Sequence, residues 1–335
     1  MNRIGAPQPR PLLKFVGQDL RLVVQEFCAA DTLIVTDDYN YPLLADLGRT
    51  IAVEDTDAGM IKEVSAAGGY SGVVAVGGCT ALDFGRACVK EGQRLVAVPT
   101  ILSNCCISSD RSVIRHGESY RSEKTAAPEM TVISLPTIEK NHADRRKNWS
   151  ASGLGDLFSA FAAVAEANWA SALPRSTNNI FQRYAPICSE ALEWVVSVSY
   201  PLDIEGLKRL AELLHEFSIV GHELVPTGSE HALYYALRTQ QNYPRMVATH
   251  GKLVSIGTLL TLRAWSELNG DFSMYNALQQ IYGKIGLPVT YDDLKRIGVM
   301  PEHIISACSS SACDVLYGAT LGIQGIVRLL EQVFG

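Results

Sequence analysis

The chain has 335 residues and a formal net charge of −6, from 29 Lys and Arg against 35 Asp and Glu. This acidic balance excludes nucleic acid and anionic membrane surfaces as electrostatic partners, and no apolar run approaches the roughly 20 residues that a membrane helix needs. With 47% hydrophobic and 19% charged residues, the composition is that of a folded globular chain long enough for two domains. The opening MNRIGAPQPRPLLKF is broken by three prolines and has no apolar signal core, so a cytoplasmic protein is expected. Of eight cysteines, Cys105 and Cys106 are adjacent, while Cys28, Cys79, Cys88, Cys188, Cys308 and Cys313 stand apart. No CxxC pair occurs, which argues against a zinc ribbon or dithiol motif.

In the first 135 residues, β-branched runs at 32–36, 73–76, 95–99, 112–115 and 131–134 alternate with helix-compatible segments near 18–28, 39–47, 57–67 and 81–90. Such alternation predicts a parallel, Rossmann-like sheet wrapped by helices. Ligands in these sheets bind beyond the carboxyl ends of the strands. Three strand ends carry chemistry. Asp37 follows Leu33-Ile34-Val35-Thr36, where a carboxylate accepts hydrogen bonds from an adenosine ribose and repels a 2′-phosphate; it also suits an ordinary turn. Gly77-Gly78 after Val73–Val76 lets backbone N–H groups approach a pyrophosphate at the start of the next helix, though such turns are common. Pro99-Thr100-Ile101-Leu102-Ser103-Asn104 leads into a hydroxyl-rich loop that suits a nicotinamide or substrate pocket, or a plain polar crossover.

From Trp149 onward the strand signals stop. Amphipathic stretches at 154–170, 180–198, 204–220, 232–239, 253–268, 274–281 and 320–333 are separated by Pro201, Pro226, Pro244, Pro288 and Pro301, predicting an all-α second half. The charged stretch Lys140–Lys147 gives a boundary near residue 145, hence an α/β domain over 1–145 and a helical one over 146–335, with the small-molecule site expected between them.

Three side chains in the helical half stand out. Asp156 closes Ser152-Gly153-Leu154-Gly155-Asp156 at an expected helix start, and two further helix starts carry His231, in Gly228-Ser229-Glu230-His231, and His250, in His250-Gly251-Lys252. One Asp and two His make a three-ligand catalytic metal site with a fourth position for water or substrate. Each also has an ordinary reading: a first-turn Asp as dipole partner, His231 as a core histidine, His250 as a cap.

Taken in order, the strand–Gly-Gly turn–Asp, the Pro-Thr loop, Gly153-x-Gly155-Asp156, Ser229-Glu230-His231 and His250-Gly251-x-x-Val254-x-x-Gly257 resemble the glycerol dehydrogenase and glycerol-1-phosphate dehydrogenase branch of the iron-containing alcohol dehydrogenase superfamily. The resemblance runs from about Thr32 to the C-terminus and implies the dehydroquinate synthase-like fold. It implies Asp156, His231 and His250 as catalytic metal ligands, with zinc first and iron, nickel or manganese as alternatives. Four-ligand iron members carry a further His where this chain has Ala160. Cofactor contacts carry over to Asp37, Gly77, Gly78, Thr80, Asp83, Thr100, Ser103, Ser109 and Arg111, for NAD(H) or NADP(H), with Asp37 favouring NAD. Two departures matter. Cys79 follows the Gly-Gly pair where the family has a third Gly, and Cys105 stands where a substrate-facing Asp is expected, weakening the hold on a polyol hydroxyl. Arg111 and Arg115 occupy usually uncharged positions; Arg115 is the candidate for an anionic substrate, or a solvent-facing cation.

The expected function is therefore a metal-dependent NAD(P)-linked alcohol dehydrogenase or carbonyl reductase. Its substrate would be a small polyol, a hydroxy-aldehyde or a phosphorylated alcohol, and the enzyme a homo-oligomer without nucleic-acid or membrane partners. Two alternatives stay open: a dehydroquinate synthase-like sugar phosphate cyclase, suited by Val98-Pro99-Thr100-Ile101-Leu102, and a catalytically inactive member, suggested by Cys79 and Cys105.

Overall fold

The computed structural model describes residues 10–144, 148–170, 175–220, 228–239, 248–309 and 316–335. Expectations placed on the first nine residues, on Pro226, Pro244 and Cys313, and on the 145–147 end of the boundary stretch lie outside these. The chain divides into two compact units: Met1–Thr100 with Cys106–Ile138, and Ile101–Cys105 with Glu139–Gly335. The division thus falls a few residues before the expected cut near 145, and five residues of the Pro-Thr loop group with the second unit.

The first unit runs β1 (Leu12–Val16), α1 (Leu20–Phe27), β2 (Thr32–Thr36), α2 (Tyr41–Leu44), β3 (Arg49–Ala52), α3 (Ala58–Ala67), β4 (Gly72–Gly77), α4 (Cys79–Cys88), β5 (Arg94–Pro99), β6 (Arg111–His116), β7 (Ser119–Lys124) and β8 (Met130–Ser134), then enters α5 (Leu135–His142). Six strands form one sheet in the order β1-β8-β5-β4-β2-β3, every pair parallel. A parallel sheet must be covered on both faces, and the period-two alternation of strand side chains does this. Val73 and Ala75 of β4 join Leu33, Val35, Leu95 and Ala97 under Leu82 and Phe84 of α4. Val74 and Val76 turn the other way, joining Ile34, Val96 and Val98 under Leu20, Val23 and Val24 of α1. Full burial of each such side chain contributes about 1.5–3 kcal/mol.

One strand expectation needs correction. The 112–115 run lies outside the parallel sheet: β6 pairs antiparallel with β7. The connection between His116 and Ser119 is two residues long and places Gly117 at φ 62°, a tight hairpin loop that supplies the neighbouring strand locally.

Among the described residues every regular element that begins in the second unit is a helix: α6 (Trp149–Ala170), α7 (Arg175–Ser197), α8 (Ile204–Val220), α9 (Ser229–Arg238), α10 (His250–Asn269), α11 (Ser273–Ile285), α12 (Tyr291–Arg296), α13 (Pro301–Ser309) and α14 (Leu316–Phe334). Helix α10 is buried along most of its length and packs on both α6 and α9. Among the described residues no helix is long and apolar enough to cross a membrane.

Candidate metal centre

Helices α6, α9 and α10 each deliver one polar side chain to a common point. Asp156 of α6, His231 of α9 and His250 of α10 offer ligand atoms that all lie within 4.8 Å of one another. The Nε2 atoms of His231 and His250 stand 3.3 Å and 2.9 Å from the same oxygen, Oδ1 of Asp156. The other carboxylate oxygen, Oδ2, accepts a 2.7 Å hydrogen bond from the Cys105 N–H. Asp156 and His231 are buried, and His250 is half-buried beneath the edge of Tyr234, whose ring centroid is 4.3 Å away.

The helix starts differ in one respect from the sequence reading. Trp149 begins α6, so Asp156 lies two turns inside the helix, and the first-turn reading of that carboxylate is corrected. A buried carboxylate well beyond the four exposed N–H groups of a helix start cannot serve as its cap. His231 is the third residue of α9 and His250 the first of α10, as expected for imidazoles at helix starts.

Small residues allow the convergence. A Cβ on Gly251 of α10 would overlap the Ser152 carbonyl oxygen of α6, and one on Gly155 would stand 2.6 Å from the Gly251 carbonyl oxygen. The two backbones therefore touch, which brings Asp156 within hydrogen-bond distance of His250. Ser152 locks the contact: its hydroxyl accepts from the Gly251 N–H at 3.0 Å and donates to the Ser103 carbonyl at 2.8 Å. This second bond ties Ile101–Cys105 to α6 beside Asp156.

The electrostatics follow from burial and proximity. Burial works to raise the Asp156 pKa, but His250 and His231 beside it hold the carboxyl far below the usual range. Burial likewise opposes charge on His231, yet bonds to Asp156 and Glu230 keep its imidazole well above its ordinary range. A divalent cation in place of that proton satisfies the same three groups.

At the carboxyl ends of β2, β4 and β5 a second cluster forms. Oδ2 of Asp37 accepts from the Gly78 N–H at 3.2 Å, and its Oδ1 accepts from the Asn40 backbone and side-chain amides at 3.0 Å and 2.8 Å. Gly77 has φ 137° with its Cα facing Asp37, a position closed to any side chain. The Thr100 N–H donates to the Gly77 carbonyl at 3.0 Å, and Thr80 sits in the first turn of α4.

A model of the family described as iron-containing alcohol dehydrogenase matches residues 45–140. The chain is 26% identical over 249 residues to the glycerol-1-phosphate dehydrogenase [NAD(P)+] of Halorubrum lacusprofundi and to that of Aeropyrum pernix. These matches cover 71% and 72% of the chain and 66% and 65% of the relatives, just under two thirds of their length. Among solved structures, a probable glycerol dehydrogenase from Sinorhizobium meliloti superposes with a TM-score of 0.71 at 18% identity, covering 97% of this chain and 96% of that one. The similarity to the iron-containing alcohol dehydrogenase family thus covers a little under a third of the chain directly, and the superposed structure extends the likeness in fold to nearly all of it. The chain has the expected dehydroquinate synthase-like fold, and the curated relatives it resembles are glycerol-1-phosphate dehydrogenases.

Several of the contacts that the resemblance implies stand elsewhere. Asp83 forms a buried 2.7 Å ion pair with Arg86 and accepts from the Val113 N–H, so its carboxylate braces α4 against β6. Arg115 is committed to Asp55 at 2.7 Å and Asp57 at 2.8 Å, which corrects the expectation of a cation available to an anionic substrate. Arg111 bonds Ser122 across the hairpin. The Ser109 hydroxyl accepts from the Arg111 N–H, a local turn bond. Ser103 is buried and Cys105 half-buried beside α6, and Cys105 reaches Asp156 through its backbone, a contact that any residue there supplies.

Other residues around this cluster were not singled out from the sequence. Glu230 is fully buried against His231, and Tyr234 against His250. Lys252, two residues after His250, is 4% exposed, and burial holds its pKa below the ordinary lysine range. In the first unit, a hydrogen bond with Cys79 and burial hold the Cys106 thiol well above its usual range. Only the spacing to a ligand histidine signals the first three.

His142 braces the loop from outside the metal centre. Its Nε2 accepts from the Leu102 N–H at 3.1 Å, and its Nδ1 is buried with no hydrogen-bond partner among the described residues. Burial pushes the imidazole down from 6.5 to about 4. The unfolded chain therefore binds a proton that the folded one refuses, so stability present above pH 6.5 is lost as the pH falls through 4. The loss is on the order of 3 kcal/mol. His142→Gln should reduce the drop in urea midpoint between pH 7 and 4.5; an undiminished drop would remove His142 as its source.

Proposed function

We propose that the chain is a metal-dependent, NAD(P)-linked alcohol dehydrogenase or carbonyl reductase acting on a small polyol, a hydroxy-aldehyde or a phosphorylated alcohol. The carrying observation is the convergence of the Asp156 carboxylate with the Nε2 atoms of His231 and His250. Tetrahedral zinc with ligand bonds of about 2.0–2.1 Å has ligand–ligand edges of about 3.3 Å, and the 3.3 Å and 2.9 Å separations to Asp156 Oδ1 are close to that. An oxygen and two imidazole nitrogens suit zinc, with iron, nickel and manganese also accommodated by such ligands. The activity for which the two glycerol-1-phosphate dehydrogenases [NAD(P)+] are named supports both the cofactor and the substrate class.

When bound, the ion supplies Lewis acidity at the substrate oxygen and the dinucleotide supplies the hydride partner. The chain does the rest. Asp156, His231 and His250 converge on one point among three helices, and the Cys105 N–H occupies Asp156 Oδ2 so that Oδ1 faces the imidazoles. The Asp37 carboxylate at the Gly77-Gly78 turn is the proposed ribose contact, favouring NAD over NADP by repelling a 2′-phosphate.

The test uses chelator-stripped protein with zinc, manganese or ferrous iron restored singly. NADH and NADPH oxidation are followed with dihydroxyacetone, dihydroxyacetone phosphate and short aldehydes. Metal-dependent net consumption with at least one carbonyl compound, faster with NADH, is expected. Substrate turnover without net nucleotide oxidation, or no turnover with any metal, would overturn the reading.

A further inference from the structure

One buried acid of the metal centre has no role in the reading so far. Glu230 is 0% exposed on α9. Its Oε1 lies 3.0 Å from Nδ1 of His231 and accepts from the Gly228 N–H at 2.9 Å. Its Oε2 is buried with no hydrogen-bond partner among the described residues. Burying a carboxyl group is costly unless its oxygens are used, so its presence here calls for a compensating function.

The surroundings hold it in one place. Glu166 of α6 accepts from the Ser229 N–H at 2.6 Å and the Ser229 hydroxyl at 2.8 Å, pinning the first turn of α9. A Cβ on Gly257 of α10 would stand 2.5 Å from the Glu230 Cα, so α10 passes directly against this residue. Glu230 therefore has little freedom to turn away from His231. Once a cation takes the place of the second proton, the neutral imidazole that still donates Nδ1–H to an acceptor presents the lone pair of Nε2, and Nε2 is the atom that faces Asp156 and His250.

We propose that Glu230 is the positioning residue of the centre: by accepting the Nδ1 hydrogen of His231 it fixes the tautomer and ring angle that aim Nε2 at a bound cation. The inference rests on the metal reading above. An acceptor behind a ligand histidine also makes the ligand nitrogen more basic, and removing one typically weakens metal binding about 10–100-fold. Glu230→Gln keeps the shape and an acceptor oxygen but removes the charge, whereas Glu230→Leu removes both, so the effects should be graded.

Zinc affinity of the full-length, chelator-stripped chain, measured by competition with a chromogenic chelator, tests this without any turnover. One zinc per wild-type chain is expected, with none on Asp156→Asn. Glu230→Gln should bind about 10-fold more weakly and Glu230→Leu about 100-fold more weakly. Zinc lost by Asp156→Asn but held by both Glu230 variants within twofold of wild type would overturn the role of Glu230 alone. A wild-type chain that takes no zinc would overturn the metal reading and this inference together. Should the Glu230 variants not fold, 15N spectra of histidine-labelled wild type decide: a protonated Nδ1 with zinc-bound Nε2 on His231 supports the role, and the reverse tautomer refutes it.

Discussion

Asp156→Asn is expected to leave a folded protein that no longer retains a metal ion and turns over at least about a thousandfold more slowly. The carboxylate is the only anionic group of the three, and its Oδ1 faces both imidazoles. An amide keeps the volume and can still accept from the Cys105 N–H, so packing around α6 is preserved. The charge that offsets a divalent ion is lost. Outer partners of ligands alone account for about 10–100-fold in affinity, and a direct ligand should exceed that. Metal assistance worth several kcal/mol corresponds to about 10³-fold or more in rate. Metal content per chain and kcat with zinc in excess measure the two effects separately. Stoichiometric zinc at wild-type affinity in the variant would exclude Asp156 as a ligand.

The second large effect is expected from Gly251→Ala, a change of one methyl group that touches no ligand. The added carbon would collide with the Ser152 carbonyl, which is helix backbone and cannot rotate aside. Relief requires α10 to move off α6, and that movement separates His250 from Asp156 and breaks the Gly251–Ser152 hydrogen bond. Overpacking of this kind costs about 1–3 kcal/mol in side-chain cores, and a backbone collision should stand at or above the upper end. The expected result is a melting temperature lower by on the order of 5–10 °C, together with zinc affinity reduced as strongly as in Asp156→Asn. A melting temperature within one degree of wild type would mean that the helices do not meet at this glycine.

Much of the architecture could be read from the residues, and the exceptions have physical reasons. Central strands such as β4 are buried on both faces and therefore appear as unbroken apolar runs. The edge strands β1 and β3, LLKFV and RTIA, are partly exposed, which interrupts their hydrophobic pattern with Lys14 and Arg49. The beginning of α6 was hidden for a related reason. Ser150, Ser152, Gly153 and Gly155 have the composition of a loop, yet they are small because α10 and Leu102 pass at backbone distance. Reading them as a loop placed Asp156 at a helix start when it lies inside one.

Chemistry at the metal centre was more legible than its support. Histidine is rare in this chain, with seven in 335 residues, so His231 and His250 at helix starts drew attention, and the family resemblance joined them to Asp156 as a ligand set. Arg115 was read as a cation for an anionic substrate and Asp83 as a cofactor contact, but a sequence does not show that Asp55 and Asp57 neutralise the first, and Arg86 the second. The role of Glu230 was equally hidden, because a residue one position from a ligand histidine can point anywhere until the helix is built.

Residues Ile101–Cys105 group with the helical unit although the chain on either side of them groups with the sheet. A gene dissected at residue 139 to express the helices alone would consequently omit the peptide whose amide grips Asp156. Such a fragment would retain Asp156, His231 and His250 and still lack one of the bonds that orients them, so the unit that carries the proposed metal site is not a contiguous stretch of its message.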